Sequence, residues 1–468
     1  MSDVSILNGI YVDTAANFRT SYPKNLIPVP KKTGLSTGYL RPSDGIIEIA
    51  TGPGIDRGSI VWNGINYRVM GSKLISLDSK NVVRILGDVG GENEPVTFDY
   101  SFDLLAICSA GNLFYYDKTN IKQVTDPDLG SVFDVVWVDG YFMVTDGSNL
   151  IVTDLQDPYS INPFKYGASE GDPDPIVGVL KLRNEIYALN SNTIELFKDT
   201  GGDFFPFTRV DGAQIPKGVV GTTAACVFGE VIAFVGGGRE EPASVYIGTN
   251  GSAIPIATQE INTLLLEYTN DELSKIIVEE RTQLSHQQLY IHLPDKTLVY
   301  DLNASKELGV PAWDILESGT YETGPYRGYN FNYVYNKWVC GDRKTGAIGE
   351  LTTSESYQFG EACSWEFSIP IISNGGKGFL LNSLEMVFIS GGLTTYTAPS
   401  IFMSSSVDGV NWSDERPFEL KSLGNRTFRA KWFQLGYVKM FKIFKIRGDS
   451  SAFISPAKII LDAEPLDG

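Results

Sequence analysis

Arg183-Asn184-Glu185-Ile186-Tyr187-Ala188-Leu189-Asn190-Ser191-Asn192-Thr193-Ile194-Glu195-Leu196-Phe197 reads as two short apolar strands, each entered through a small polar turn. Asn and Ser suit such turns, and the β-branched and aromatic residues that follow suit a pleated strand. The unit recurs on both sides of this stretch. Asn63-Gly64 leads into NYRVM and Gly71-Ser72 into KLISL; Phe102 precedes DLLAI, and Ala110-Gly111-Asn112 leads into LFYYD. Asp139-Gly140 leads into YFMV and Gly147-Ser148-Asn149 into LIVTD. Further on, Phe228-Gly229 precedes EVIAFV, with SVYIG following at Ser244; His286-Gln287 precedes QLYIHL, and TLVYD follows Lys296. Tyr335-Asn336 precedes KWVCG, and Thr345-Gly346 leads into AIGEL.

With Tyr67, Leu105, Phe142, Tyr187, Ile232, Tyr290 and Trp338 as anchors, the steps are 38, 37, 45, 45, 58 and 48 residues. Steps of this size with hairpins inside each unit are the signature of propeller blades, so an all-β propeller of six or seven blades is expected over residues 51–358. The long step has a local cause. Ile261, Leu264, Leu265 and Tyr268 follow helical spacing, and Thr269 to Glu272 reads as a capping box before Leu273, Ile276 and Ile277. A small helical insertion is therefore expected at 259–278, as a packing or subunit-contact element. Beyond residue 358 the strings WEFSIPI, LEMVFIS, SIFMSSS, FRAKWFQL, FKIFKI and AKIILDA predict a C-terminal β-sandwich over 359–468. Asp408-Gly409 marks a hairpin turn inside it. Residues 1–50, with Pro23, Pro28, Pro30, Lys31 and Lys32, read as an extended N-terminal arm.

Charge and rare residues narrow the function. The net charge is −18, which disfavours general affinity for a nucleic-acid backbone. Between Arg416 and Arg447, however, nine Lys/Arg face a single acid, Glu419, a local balance of +8. Arg426, Arg429, Lys431, Lys439, Lys442, Lys445 and Arg447 are the candidate partner-docking residues; a solvated basic sheet face is the plain alternative. Only His286 and His292 are available for histidine chemistry, and neither sits beside a nucleophile motif or an obvious set of metal ligands. Cys108, Cys226, Cys340 and Cys363 lack the paired spacings of zinc or redox sites. Asp172 and Asp174 look like turn residues, Glu279-Glu280-Arg281 like a solvated charge cluster, and Gly236-Gly237-Gly238 lacks the Lys-Ser/Thr of a phosphate loop. No catalytic residue, cofactor or metal is expected. The opening MSDVSILNGI has no signal-peptide pattern, and Val219 to Gly238 reads as two buried strands rather than a membrane span.

A series of strings, in order along nearly the whole chain, resembles the tail accessory factor (packaged DNA stabilisation) family of short-tailed Salmonella-type phages. They include GYLR at Gly38 to Arg41, YRVMGSKL at Tyr67 to Leu74, SNTIELF at Ser191 to Phe197 and PKGVVGT at Pro216 to Thr222. IHLP with LVYD at Ile291 to Asp301, CGD at Cys340 to Asp342 and DGVNW at Asp408 to Trp412 complete it. The resemblance implies a virion tail protein, assembled in the bacterial cytoplasm as a homo-oligomeric ring of six copies beneath the portal and its adaptor. Such a ring retains packaged DNA, extends the ejection channel without binding DNA specifically, and anchors a tail needle and tailspikes or fibres. An acidic lumen would let DNA phosphates pass, leaving the basic segment for a partner protein. A glycan-binding propeller and a sialidase-like glycan-cleaving enzyme are the competing readings.

Overall fold

The computed structural model describes residues 2–4, 6, 22–31, 36–155, 157–169, 171–202, 204–390, 399–420 and 429–466. Among these residues, seven antiparallel sheets follow one another as up-and-down meanders, numbered here blades 1 to 7. Their first strands are Asp56–Trp62, Thr97–Tyr100, Asp134–Val138, Ile176–Leu182, Ala225–Phe228, Ile277–Gln283 and Gly328–Val334. Each of these lies against the next, and the seventh lies against the first, so the inner strands close into a ring. The fold is a seven-bladed β-propeller.

The turns at Asn63-Gly64 and Asp139-Gly140 adopt positive φ at both residues, as tight hairpins between right-twisted strands require. Alternating residues then fill the space between blades: Tyr67, Val69, Leu105 and Ile107 pack between blades 1 and 2, and Met143, Val152, Ile186 and Ala188 between blades 3 and 4. Side chains of the inner strands also join neighbouring blades. Asp99 of blade 2 accepts a hydrogen bond from the Trp137 N–H of blade 3 (2.6 Å), and Asp134 of blade 3 accepts one from Val179 of blade 4 (2.9 Å). Glu279 of blade 6 accepts from both Asn330 and Phe331 of blade 7, at 3.0 and 2.7 Å.

The described residues within 1–50 do not form an extended arm. Gly45–Thr51 is the outermost strand of blade 7, paired with Ala347–Thr352 so that Ile46 faces Leu351. Closure by the start of the chain ties the two ends of the propeller together, which explains why this segment is ordered. Leu26–Val29 and Tyr39–Pro42 form a hairpin whose Leu26 and Leu40 are fully buried in the sandwich core. Ser2–Val4 pairs with the last sandwich strand, Ile454–Pro465.

The sandwich has two sheets. One is ordered Ser2–Val4, Ile454–Pro465, Phe379–Ser390, Ala430–Val438; the other is Ser364–Ser368, Phe441–Asp449, Ser400–Ser406, Arg416–Glu419. Trp365, Phe367, Leu384, Met386, Phe444 and Ile446 fill the space between them. Lys24 stitches sandwich to propeller, since its backbone bridges Ile315 of blade 6 on one side and Glu366 on the other. Beside it, buried Asn25 donates to the carbonyls of Glu317 (2.9 Å) and Ser364 (2.6 Å) and accepts from the Glu317 N–H (3.1 Å).

The helices of the insertion are Gln259–Leu265 and Asn270–Leu273, the second opened by the Thr269/Glu272 capping box. Ile261, Leu265 and Leu273 are buried on the blade 5 side, and Thr258 and Glu260 hold the hydroxyl of Tyr22, just before the Lys24–Asn25 strap that joins sandwich to propeller. Ile277 belongs to the following strand, not to a helix. A further short helix, Leu302–Leu308, lies outside the expected insertion; it is capped by Asp301 and stopped by Gly309 at φ 72°.

Candidate docking surfaces

The sequence's candidates for chemistry are engaged in internal contacts. His286 pairs with Asp301, and His292 lies between Thr297 and Glu279 (3.0 and 2.7 Å). Burial holds the His292 imidazole below its ordinary value, against the pull of Glu279. Asp174 accepts from the Asn192 and Thr193 N–H groups (2.6 and 3.1 Å), and Asp172 pairs with Arg239 (2.8 Å). Gly236 ends a strand against backbone: a Cβ there would meet the Gly218 carbonyl at 1.8 Å. Val219 to Gly238 contains the strands Ala225–Phe228 and Val231–Gly236, and no helix among the described residues is long and apolar enough to cross a membrane. Asp408 accepts from the N–H groups of Val410 and Asn411 (2.9 and 2.8 Å) and shapes the expected turn.

Glu279-Glu280-Arg281 is not a solvated cluster. Arg281 is 1% exposed, donates to Asp44 (2.5 Å) and to the Tyr290 hydroxyl (3.2 Å), and lies over the Trp338 ring. Arg41 pairs with the other oxygen of Asp44 (2.6 Å). These flanking cations hold the Asp44 carboxyl below the usual carboxylate range despite burial. The group joins the start of the chain to the seam between blades 6 and 7.

The basic segment is divided rather than concentrated. Lys431 lies on Ala430–Val438, with Arg429 just before it, whereas Lys442, Lys445 and Arg447 lie on Phe441–Asp449, which belongs to the other sheet. Arg429 and Lys431 share Glu385 (2.8 and 3.7 Å), Lys445 faces Glu366 (3.4 Å), and Arg447 makes a two-pronged pair with Glu415 (both 2.5 Å). Lys439 stands exposed in the turn between the two strands. Arg426 lies outside the described residues. Residues 359–468 hold eleven acids and eleven bases, so the entire −18 falls within 1–358.

Two concave surfaces carry parts of this set. A cleft of about 260 Å³ between the blade 6 edge and the sandwich is lined by Lys24, Tyr321, Trp365, Glu366 and Arg447. A groove of about 730 Å³ runs along the free edge of the first sandwich sheet, lined by Leu380, Leu381, Asn382, Phe433, Gln434 and Gly436. Phe433 projects there at 58% exposure, and Tyr437 (61%) and Met440 (55%) are exposed further along the chain. The sequence carries a signal for this surface: along FRAKWFQLGYV the apolar residues outnumber the positions that one core face can take. Exposed aromatics beside lysine fit a protein interface better than a reaction centre.

Comparison with known proteins gives matches to both domains. Residues 2–356 match a family model described as "Bacteriophage P22 Gp10, beta-propeller", and residues 364–464 match one described as "Bacteriophage P22 Gp10, beta-sandwich". The tail hub protein gp10 of Salmonella phage P22 is 31% identical over 455 residues, covering 92% of this chain and 93% of its own length. Among solved structures, the Pan2 WD40 domain of Neurospora crassa covers 68% of this chain and 98% of its own, at 12% identity and a TM-score of 0.43. The N-terminal domain of Nup159 covers 74% and 99%, at 11% identity and a TM-score of 0.39.

Proposed function

Because this chain belongs to the bacteriophage P22 Gp10 family, whose matched relative is a phage tail hub protein, we propose that it forms a ring below the portal and adaptor. In that position the ring, of six copies, retains the packaged genome, extends the ejection channel and anchors a tail needle with tailspikes or fibres. Its work is contact rather than turnover. The observation that carries the reading is the collinear match of both domains to one tail hub family.

The physical properties support it. Inner-strand clamps and a strap hydrogen-bonded to both domains make a stiff two-domain block suited to transmitting load. The net negative charge of 1–358 disfavours adhesion of DNA phosphates during ejection. The basic residues Arg426, Arg429, Lys431, Lys439, Lys442, Lys445 and Arg447 belong to a domain of zero net charge, which faces protein partners. Particles assembled without this chain are expected to package DNA and then lose it. Stable, full heads lacking the protein would refute the retention role.

A further inference from the structure

We propose that the aromatic edge of the sandwich docks on the acidic turn face of blades 2 and 3 of a second copy. The inference rests on the ring reading above and names the surfaces that build the ring. Ala430–Val438 is an edge strand, but two of its carbonyls are already taken: Arg416 donates to Phe433 O (2.7 Å) and Lys442 to Leu435 O (3.2 Å). Capped in this way, the edge strand resists strand addition and offers its outward side chains Phe433 and Tyr437 instead, with Leu380 of the neighbouring strand opposite Tyr437. Lys439 adds positive charge beside them. Pairing two such edges face to face would oppose like charges, so the contact has to be heterologous.

A matching surface exists on the same chain. Residues 99–157 contain ten Asp and two Lys. Around the Asp139-Gly140 turn, Phe102 (83% exposed) packs edge-on against Trp137, and Leu155 (57% exposed) lies over Gly140. Asp103, Asp117 and Asp139 are exposed nearby. Both surfaces therefore pair exposed apolar side chains with charge of opposite sign. One copy cannot satisfy itself, because its sandwich is stitched to blade 6, and blades 2 and 3 lie three steps away in either direction around the propeller. A heterologous contact of this kind, repeated with closure, gives a ring.

The test assembles an equal mixture of ¹⁴N- and ¹⁵N-labelled full-length chain on the portal–adaptor complex, followed by zero-length carbodiimide cross-linking and mass spectrometry. Mixed-isotope links from Lys439 to Asp103, Asp117 or Asp139 are expected. The exposed-site variant Phe433→Glu/Tyr437→Glu should keep its melting profile yet lower ring occupancy at least tenfold by electron microscopy. Complete rings of that variant, or mixed-isotope links from Lys439 only to other acids, would overturn the proposed surfaces and leave the ring intact as a reading. Failure of the wild-type chain to form any ring would overturn both.

Discussion

Asn25 joins the two domains, and its replacement by alanine has a calculable cost. The side chain donates to Glu317 O and Ser364 O and accepts from Glu317 N, all in a buried setting. Alanine removes three hydrogen bonds worth about 1 kcal/mol each and leaves the Glu317 amide without an acceptor, a further ~1 kcal/mol or more. Asn25 also sits at φ 53°, where alanine is disfavoured by about 1 kcal/mol relative to a residue that tolerates this region. The expected loss is about 3–5 kcal/mol, or roughly two to four orders of magnitude in local opening. Hydrogen exchange of peptides spanning Ile315–Glu317 and Ser364–Glu366 reads this directly, because both flank the strap. Asn25→Gly separates the terms: it tolerates the backbone angle and should recover about 1 kcal/mol of the loss. Protection in Asn25→Ala within threefold of wild type would refute the view that this residue locks sandwich to propeller.

Other perturbations test the propeller itself. Burial pushes the Asp134 carboxyl up to about 7 against the pull of two backbone N–H groups. The native state then holds a proton that the unfolded chain releases near pH 4, so stability from this group is present at low pH and lost as pH rises through about 7. Asp134→Asn should flatten that part of the melting temperature–pH profile between pH 4 and 7.5, by up to ~4 kcal/mol; an unchanged slope would contradict it. Glu279→Ala removes the acceptor for Asn330 and Phe331, so exchange at those two amides should rise at least tenfold while blade 3 is unaffected. Ile46→Asp places an unpaired carboxylate in the closing strand of blade 7 and should cost about 3–5 kcal/mol, seen as early proteolysis within residues 45–51.

The repeat was legible because each blade announces itself locally. Asn63-Gly64, Asp139-Gly140 and Arg183-Asn184 make their turns with residues adjacent in sequence, and the seven chosen anchors fall one to a blade. What stayed hidden depends on partners far along the chain. Nothing near Ile46 indicates that it will pair with Leu351, and nothing near Arg281 indicates that Asp44 will bury it. The +8 of residues 416–447 was counted along the sequence, whereas folding sends its two main strands to different sheets and brings Glu366, Glu385 and Glu415 against them. Leu302–Leu308 is a different case, for Asp301 and Gly309 were visible helix boundaries around a good helix-forming segment.

Electron cryomicroscopy of the full-length chain bound to a portal–adaptor complex tests the central claim most directly. A closed ring of rigid propeller–sandwich units, coaxial with the portal and with the net-acidic propeller domains toward its opening, is the predicted image. Isolated copies attached off the axis, or a ring whose opening is lined by Lys and Arg, would contradict it.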